Sequence, residues 1–135
     1  MALQLSTTAR NALLDAIETA IGASAVLRIR SGSVPANVAA ADAGSVLATV
    51  NLPSDWMAAA SGGSKSLSGS WSDNSADASG TAAHFRLYAS DGTTCHMQGT
   101  VTLTGNGGDM TLDSLSFTAG QQFSVTGFTL TAPNA

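Results

Sequence analysis

Two histidines and a cysteine are the side chains of this sequence best suited to catalysis. His84 and His96 flank a predicted turn, and Cys95 directly precedes the second histidine. A nucleophilic hydrolase needs a Ser or Cys beside a histidine base that an acid holds in place. No serine lies in a Gly-x-Ser-x-Gly pattern, and both histidines occupy the polar positions of alternating segments. We therefore expect surface histidines, a Cys95 buried in the core, no catalytic residue and no enzymatic activity.

Two further segments could bind a ligand: an acidic loop could bind a metal ion, and a glycine-rich turn could bind a phosphate group. Asp73, Asn74 and Asp77 form the densest group of oxygen ligands. Calcium loops place more such ligands at tight alternating spacing, so we interpret 72–80 as a solvated polar loop. The glycines of 105–108 lack the Gly-Lys-Ser/Thr ending of a phosphate-binding loop and the helix that follows it. The sequence thus predicts neither a metal site nor a cofactor.

Charge limits the classes of partner. The chain has 135 residues, of which only five are basic, and its net charge is -4. Nucleic-acid binding needs a basic stripe, so we expect no nucleic-acid partner. Arg28 and Arg30 share one side of a predicted strand, which favours a solvated or protein-interface face. No apolar run is long enough to span a membrane, and a single cysteine fits synthesis in a reducing compartment.

One helix is predicted, at about residues 6–21. Ser6 or Thr7 can cap its N-terminus, and Gly22 can end it. Its apolar stripe should pack against the protein's own sheet, or otherwise against a neighbouring subunit. This stripe comprises Ala9, Leu13, Ile17, Ala20 and Ile21.

From residue 25 to residue 131 the hydrophobic period changes to two, which predicts seven or eight short strands. Asp91-Gly92 between two alternating runs predicts a hairpin over 82–103. A loop of about fifteen residues follows Arg30, and a β-bulge is expected at Thr126-Gly127 in the last strand. Ala, Gly, Ser and Thr make up about half of the chain and charged residues 10%, against roughly 25% in an ordinary domain. We predict a mainly β fold: a single domain, 1–135, forming an antiparallel β-sandwich, jelly-roll-like or Greek-key, preceded by one N-terminal α-helix.

The large side chains next to Gly-rich loops allow two interpretations. Trp56, Met57 and Trp71 border polar, flexible segments. Exposed Trp and Met are typical anchors of protein interfaces. Alternatively, these side chains fill the ends of a sandwich whose strands carry small residues.

Several segments resemble small structural proteins of tailed bacteriophages and prophages. The resemblance is carried by LSTTARNALL at 5–14, VLRIRSG at 26–32, VPANVAA at 34–40, LATV at 47–50, GTAAHFRLY at 80–88 and FSVTGFTLT at 123–131. These similarities are structural and compositional, and they carry no catalytic residue. The resemblance implies a virion component, either a capsid decoration (cement) protein or a tail-associated protein.

The leading hypothesis is a decoration protein on the outer surface of the major capsid protein, synthesised in the host cytoplasm and assembled into the virion. We expect it to self-associate as a dimer or trimer and to bind no nucleic acid and no membrane. Interface contacts are expected from Trp56, Met57 and Trp71, from Arg28 and Arg30, from the helix or from the loops. The alternatives are a tail or adaptor component, and a carbohydrate-binding β-sandwich module that stacks sugars on tryptophan and on Tyr88.

Overall fold

The predicted helix forms as α1, Thr7–Ile21, in a computed structural model that describes residues 3–125 and 127–133. The Ser6 hydroxyl accepts a hydrogen bond from the Ala9 amide at 3.1 Å, and Gly22 ends the helix with φ +92. The predicted apolar stripe is wrong in part. Leu14 and Ile21 are buried, whereas Leu13 is 49% exposed, because α1 turns its charged side toward the protein.

Eleven strands are present in the described residues. Seven of them form one sheet in the order β2-β1-β6-β7-β8-β11-β3, and β10-β4 and β5-β9 form two-stranded ribbons. Within the main sheet β7 and β8 run parallel, while the other neighbours are antiparallel. The mainly β fold with one helix is confirmed, but the purely antiparallel arrangement is wrong. The strands are β1 Val26–Arg30, β2 Val46–Asn51, β3 Ser64–Ser66, β4 Ser72–Asp73, β5 Gly80–Thr81, β6 His84–Tyr88, β7 Cys95–Leu103, β8 Met110–Leu112, β9 Ser116–Phe117, β10 Phe123–Ser124 and β11 Gly127–Thr131.

The hairpin prediction is confirmed by β6 and β7. The Asp91 carboxylate accepts hydrogen bonds from the amides of Thr93 and Thr94 at 2.8 and 2.9 Å and so closes the turn. His84 lies opposite Thr100 in the resulting register. The predicted last strand is instead divided between β10 and β11, which belong to different sheets. The bulge predicted at Thr126-Gly127 lies partly outside the described residues.

An aromatic cluster fills the core behind the main sheet. The Trp71 ring lies 6.0 Å from that of Trp56 and 5.6 Å from that of Phe128. The Trp71 indole N–H donates to the Trp56 carbonyl, and the Trp56 indole donates to Gly22, so both polar groups are satisfied. Trp56, Met57 and Trp71 are all buried within their own chain. Their interpretation as exposed interface anchors is therefore wrong, and the alternative that they fill the core is confirmed.

Strands β1 and β6 are covered on both faces. One face contributes Leu27, Ile29, Phe85 and Leu87 to the core. The opposite face carries polar side chains, yet most of them are also buried. The segment 31–45, which follows β1, provides that second cover, as the contacts below show. Among the described residues, no helix is long and apolar enough to cross a membrane.

Candidate interaction surface

The polar face of β1 and β6 collects basic and aromatic side chains from two strands. Arg28 lies opposite Arg86, and Arg30 lies opposite His84. Arg28 remains half-buried, with its guanidinium 4.9 Å from the Tyr88 ring centre. Arg30 is buried. The expectation of a solvated face for Arg28 and Arg30 is therefore wrong for Arg30, because the loop covers it.

Arg86 fastens this loop to the sheet. Its side chain is only 2% exposed, and all three of its nitrogens donate hydrogen bonds. A guanidinium has five N–H donors in a planar fork, and here five acceptors surround it. The acceptors are the Gln98 side chain, the Asp42 carboxylate and the backbone carbonyls of Ala40, Asn37 and Val38.

Asp42 is the only charged residue between positions 31 and 45, and its charge is fully engaged. The carboxylate pairs with Arg86, accepts from Arg30 at 3.0 Å and accepts from the Tyr88 hydroxyl at 2.7 Å. Burial opposes the charged form, but the hydrogen bonds from Tyr88 and Arg86 outweigh it and hold the pKa of Asp42 below its usual value. Burial, reinforced by the Asp42 charge, raises the pKa of Tyr88. At neutral pH the Asp42 carboxylate is therefore charged and the Tyr88 hydroxyl is neutral, so their contacts with the arginines persist.

We name residues 33–43 the arginine-held loop. Its base is closed by the Ser31 amide, which donates to the Ser45 carbonyl, and by the Ser45 amide, which donates to the Ser31 hydroxyl. Its outer side is apolar: Val34 and Val38 are 37% and 40% exposed. Exposed alanines extend the same surface, at positions 36, 39 and 41. Asp42 is the one charged side chain of this loop, and it is paired with Arg86 and Arg30; an apolar surface of this kind is typical of protein-binding sites.

His84 lies under the base of this loop. Its ring is fully buried, and its Nδ1 lies 2.8 Å from the Gly32 carbonyl oxygen. Burial lowers the pKa of His84, and Arg30 and Arg86 lower it further. A neutral ring then donates from Nδ1, which leaves Nε2 as an acceptor without a protein partner in the described chain. The expectation of a surface histidine is wrong for His84.

Cys95 and His96 lie nearby on β7. Cys95 is half-buried opposite Tyr88 rather than in the core, so its predicted placement is wrong. Burial raises the pKa of its thiol. His96 is exposed, as predicted. The structure thus separates the three candidate catalytic side chains by burial, with His84 enclosed and His96 in solvent.

A second buried ion cluster attaches α1. The Lys65 ammonium is almost fully buried and lies 2.7 Å from an Asp15 oxygen and 2.9 Å from a Glu18 oxygen. Burial alone would lower the pKa of Lys65, but the two carboxylates outweigh it and raise the pKa. The same carboxylates also accept from the backbone amides of Ala60 and Met57. Although Asp15 stays half exposed, its charge is paired with Lys65, and α1 also exposes Ala12, Leu13, Ala16 and Ala20.

The acidic loop, residues 72–80, is hydrogen-bonded to β2. Asp73 accepts hydrogen bonds from the amides of Thr49 and Ser75, and Asp77 accepts one from the Thr49 hydroxyl. These contacts tie the loop to β2, while Asn74, Ser75, Asp77 and Ser79 remain exposed as predicted. No group of three or more potential metal-ligating side chains of the His, Cys, Asp and Glu types occurs in residues 3–125 and 127–133.

Two cavities open at the surface of the described chain. One, of about 190 Å³, lies beside β8 and β10 over Phe117 and Phe123, with Gln121 and Gln122 at its rim. The other, of about 390 Å³, lies between β7 and β11.

Comparison with known proteins gives no match, either to a family model, to a curated protein or to a solved structure. The resemblance to phage structural proteins therefore depends on the sequence segments alone.

Sequence reasoning missed Arg86, Asp42 and Lys65 as structural centres. One signal was available: Arg28 and Arg30 share a polar face just before a long loop with a single carboxylate. Two arginines cannot be buried without a compensating anion, and Asp42 was the only candidate in that loop. Lys65 gave no such signal, since its partners lie about fifty positions earlier in the chain.

Proposed function

We propose that this protein is a virion structural protein of a tailed phage. It would decorate the outer surface of the major capsid protein, stabilise the shell and self-associate as a dimer or trimer. The observation that carries the proposal is the arginine-held loop, an outward apolar surface fixed by a buried guanidinium.

The energetics of the loop favour a docking role. A loop that exposes Val34 and Val38 gains little hydrophobic stability for its own fold from those side chains. Arg86 nevertheless donates four of its five hydrogen bonds to this loop and so keeps it ordered. A surface that is already rigid loses less conformational entropy on binding, which increases affinity for a given contact area. In a lattice, many such modest contacts act together.

The chain offers a second apolar surface for assembly. The outward side of α1 exposes Leu13 between alanines, while its charged side chains are held by Lys65 and by loop amides. With the arginine-held loop, this gives two apolar faces on one small domain. One face can contact the shell while the other contacts a sister copy.

A two-layer sandwich is part of the proposal. The main sheet would form one layer and the β10-β4 ribbon the other, with the aromatic cluster between them. Trp71 directly precedes β4, and Phe128 lies on β11, so their ring contact joins the two layers.

A tail or adaptor location is the second candidate, since both surfaces would serve equally well in a ring. The carbohydrate hypothesis loses its physical basis, because Trp56, Trp71 and Tyr88 are all buried and present no ring face to a sugar.

The test is quantitative mass spectrometry of purified particles. About one copy per major capsid subunit, or a simple fraction of that, supports shell decoration. A few copies per particle supports the tail location, and complete absence overturns the virion proposal.

A matched pair of variants tests the docking surface. Val38→Asp places a charge on the arginine-held loop, and Leu103→Asp places one on an equally exposed side chain elsewhere, both residues being 40% exposed. We expect at least a tenfold loss of particle occupancy for Val38→Asp and little change for Leu103→Asp. Equal occupancy of both variants would show that the loop does not bind the shell.

A further inference from the structure

The main sheet has an opening where β8 is too short. β8 pairs with Val101–Leu103 of β7 and with Gly127 and Phe128 of β11. Both neighbours extend beyond Met110, the first residue of β8, while the chain leaves the sheet at Asp109. The cavity of about 390 Å³ occupies this place, between residues 97–98 of β7 and 128–131 of β11. We name it the strand gap.

Backbone hydrogen-bonding groups point into the strand gap from both sides. The Phe128 carbonyl and the Ala132 amide bond toward β3, so by alternation the backbone of Thr131 faces the gap. On β7 the Val101 amide bonds toward β6, which turns the backbone of Gln98 toward the gap. Since β7 and β11 are separated by the position of one strand, the opening is about 10 Å wide, twice the strand spacing. It fits one extended peptide.

The inner side of the strand gap is apolar except at its β8 end, where the Asp109 carboxylate accepts a hydrogen bond from the Thr100 amide at 2.9 Å. Phe85 and Phe128 are buried there, and their rings lie 5.5 Å apart. Met97 and Leu130 flank them and are only partly buried. A strand inserted in the gap would place alternate side chains against these four residues, so its inward positions should be apolar.

We propose that the segment Leu3–Leu5 of a second copy of this chain fills the strand gap as an added β-strand. Leu3 is 73% exposed, the highest value among the large apolar side chains described. Leu3, Gln4 and Leu5 alternate apolar, polar, apolar, which matches a strand with one apolar face. They belong to no helix or strand of their own copy.

The N-terminal turn of α1 is attached near the end of β11. The Arg10 guanidinium, in the first turns of α1, donates to the Ala132 carbonyl at 2.9 and 3.2 Å, directly after β11. Residues 3–5 end two positions before Thr7, the first residue of α1, so they start within about two helical turns of this contact. Two copies related by a two-fold axis can exchange these segments reciprocally, which gives a closed dimer. Three residues of extended chain span about 10 Å, the length that residues 129–131 present.

Disulfide trapping tests the exchange. Two variants are made in a Cys95→Ser background: Gln4→Cys with Thr131→Cys, and Gln4→Cys with Thr129→Cys. These positions are chosen because Gln4 of the added strand should lie next to a threonine of β11 on the outer face of the sheet. We expect a disulfide-linked dimer on oxidation for at least one variant, and none when Gln4→Cys is combined with Thr118→Cys on a distant exposed turn. An internal cross-link in a monomer, or no cross-link in either variant, overturns the proposal.

The dissociation constant of the dimer provides an independent readout. Leu3→Asp should raise it at least tenfold in sedimentation equilibrium, because a carboxylate would face the apolar floor. Leu3 is exposed in the monomer, so this variant should fold normally, and Leu103→Asp serves as the matched control. A wild-type chain that stays monomeric, or a Leu3→Asp dimer of unchanged affinity, refutes the exchange. Absence of the protein from phage particles would overturn the proposed function and leave these two outcomes unaffected.

Discussion

Replacing Arg86 by methionine should release the arginine-held loop while the sheet stays folded. Methionine keeps the aliphatic bulk of the side chain but removes all five hydrogen bonds. Removing one partner of a buried ion pair costs about 3–5 kcal/mol. Asp42 is 41% exposed and keeps its contacts to Arg30 and Tyr88, so the lower end of this range applies.

We therefore expect a loss of about 3 kcal/mol, which lowers the melting temperature by about 10 °C for a domain of this size. Thermal unfolding followed by circular dichroism measures this change in melting temperature. Hydrogen exchange should show a second, local effect, namely lost protection of residues 33–43 at temperatures where the strands remain protected.

Arg28→Met is the matched control for this experiment. Arg28 occupies the neighbouring position on the same face, but it is half-buried and makes a single hydrogen bond, to the Gly92 carbonyl. We expect a smaller loss, of about 1–2 kcal/mol, because this variant removes one partly exposed charged hydrogen bond and the contact with the Tyr88 ring. If Arg86→Met melts within about 2 °C of the wild type, less than 1 kcal/mol is lost and the clamp has no structural role.

Three further predictions concern the loop base and the buried charges. Gly44→Ala should lower the free energy of unfolding in urea by more than Gly62→Ala does. Both glycines have positive φ, so both substitutions strain the backbone. Only at Gly44 would the added Cβ also collide with the Ser31 carbonyl, whereas the space at Gly62 is open. Lys65→Met should cost about 3 kcal/mol, because two helix carboxylates lose their buried counter-charge, and an unchanged urea midpoint would contradict this. Because the pKa of His84 is lowered in the folded protein, the unfolded chain binds a proton at this histidine at a higher pH than the folded chain does. The free energy of unfolding should therefore decline as the pH falls below about 6.5, by up to about 1.4 kcal/mol per pH unit. His84→Gln should flatten the dependence of melting temperature on pH in that window and His96→Gln should not, and a wild-type melting temperature independent of pH between 7 and 5 would exclude the effect.

Local patterns were sufficient to predict the helix and the central hairpin. The Ser6 cap and Gly22 terminator fixed α1 to within a residue, and Asp91-Gly92 located the turn between β6 and β7. These signals act over a few residues, where backbone sterics and short hydrogen bonds determine the structure.

Long-range pairing could not be predicted in the same way. The glycine-rich turn at 105–108 separates β7 from β8, but its residue types do not show that the two strands run parallel. The buried side of α1 was misjudged because hydropathy counts Asp15 and Glu18 as solvent-facing residues. Their partner Lys65 makes that side the attached one, and a hydrophobic stripe carries no information about a partner so distant in sequence.

For the candidate site, residue types predicted exposed anchors at Trp56, Met57 and Trp71, and the structure buries all three. Large size and loop location favoured Trp56 and Trp71, which the small-residue strands instead need as core filling. The surface that the structure offers is made of modest side chains such as Val34 and Val38. Its distinguishing property is rigidity, which arises from Arg86 more than forty positions away.

Every basic side chain of this sequence donates a hydrogen bond within its own chain. Arg10 bonds to Ala132, Arg28 to Gly92, Arg30 and Arg86 to Asp42, and Lys65 to the carboxylates of α1. Trypsin cleaves only after Lys and Arg and needs a locally unfolded segment around the cleaved bond. The folded protein thus presents that protease with five tethered sites and its sole lysine side chain almost wholly enclosed. Trypsin should therefore cleave the folded protein slowly, at a rate set by local opening of the chain.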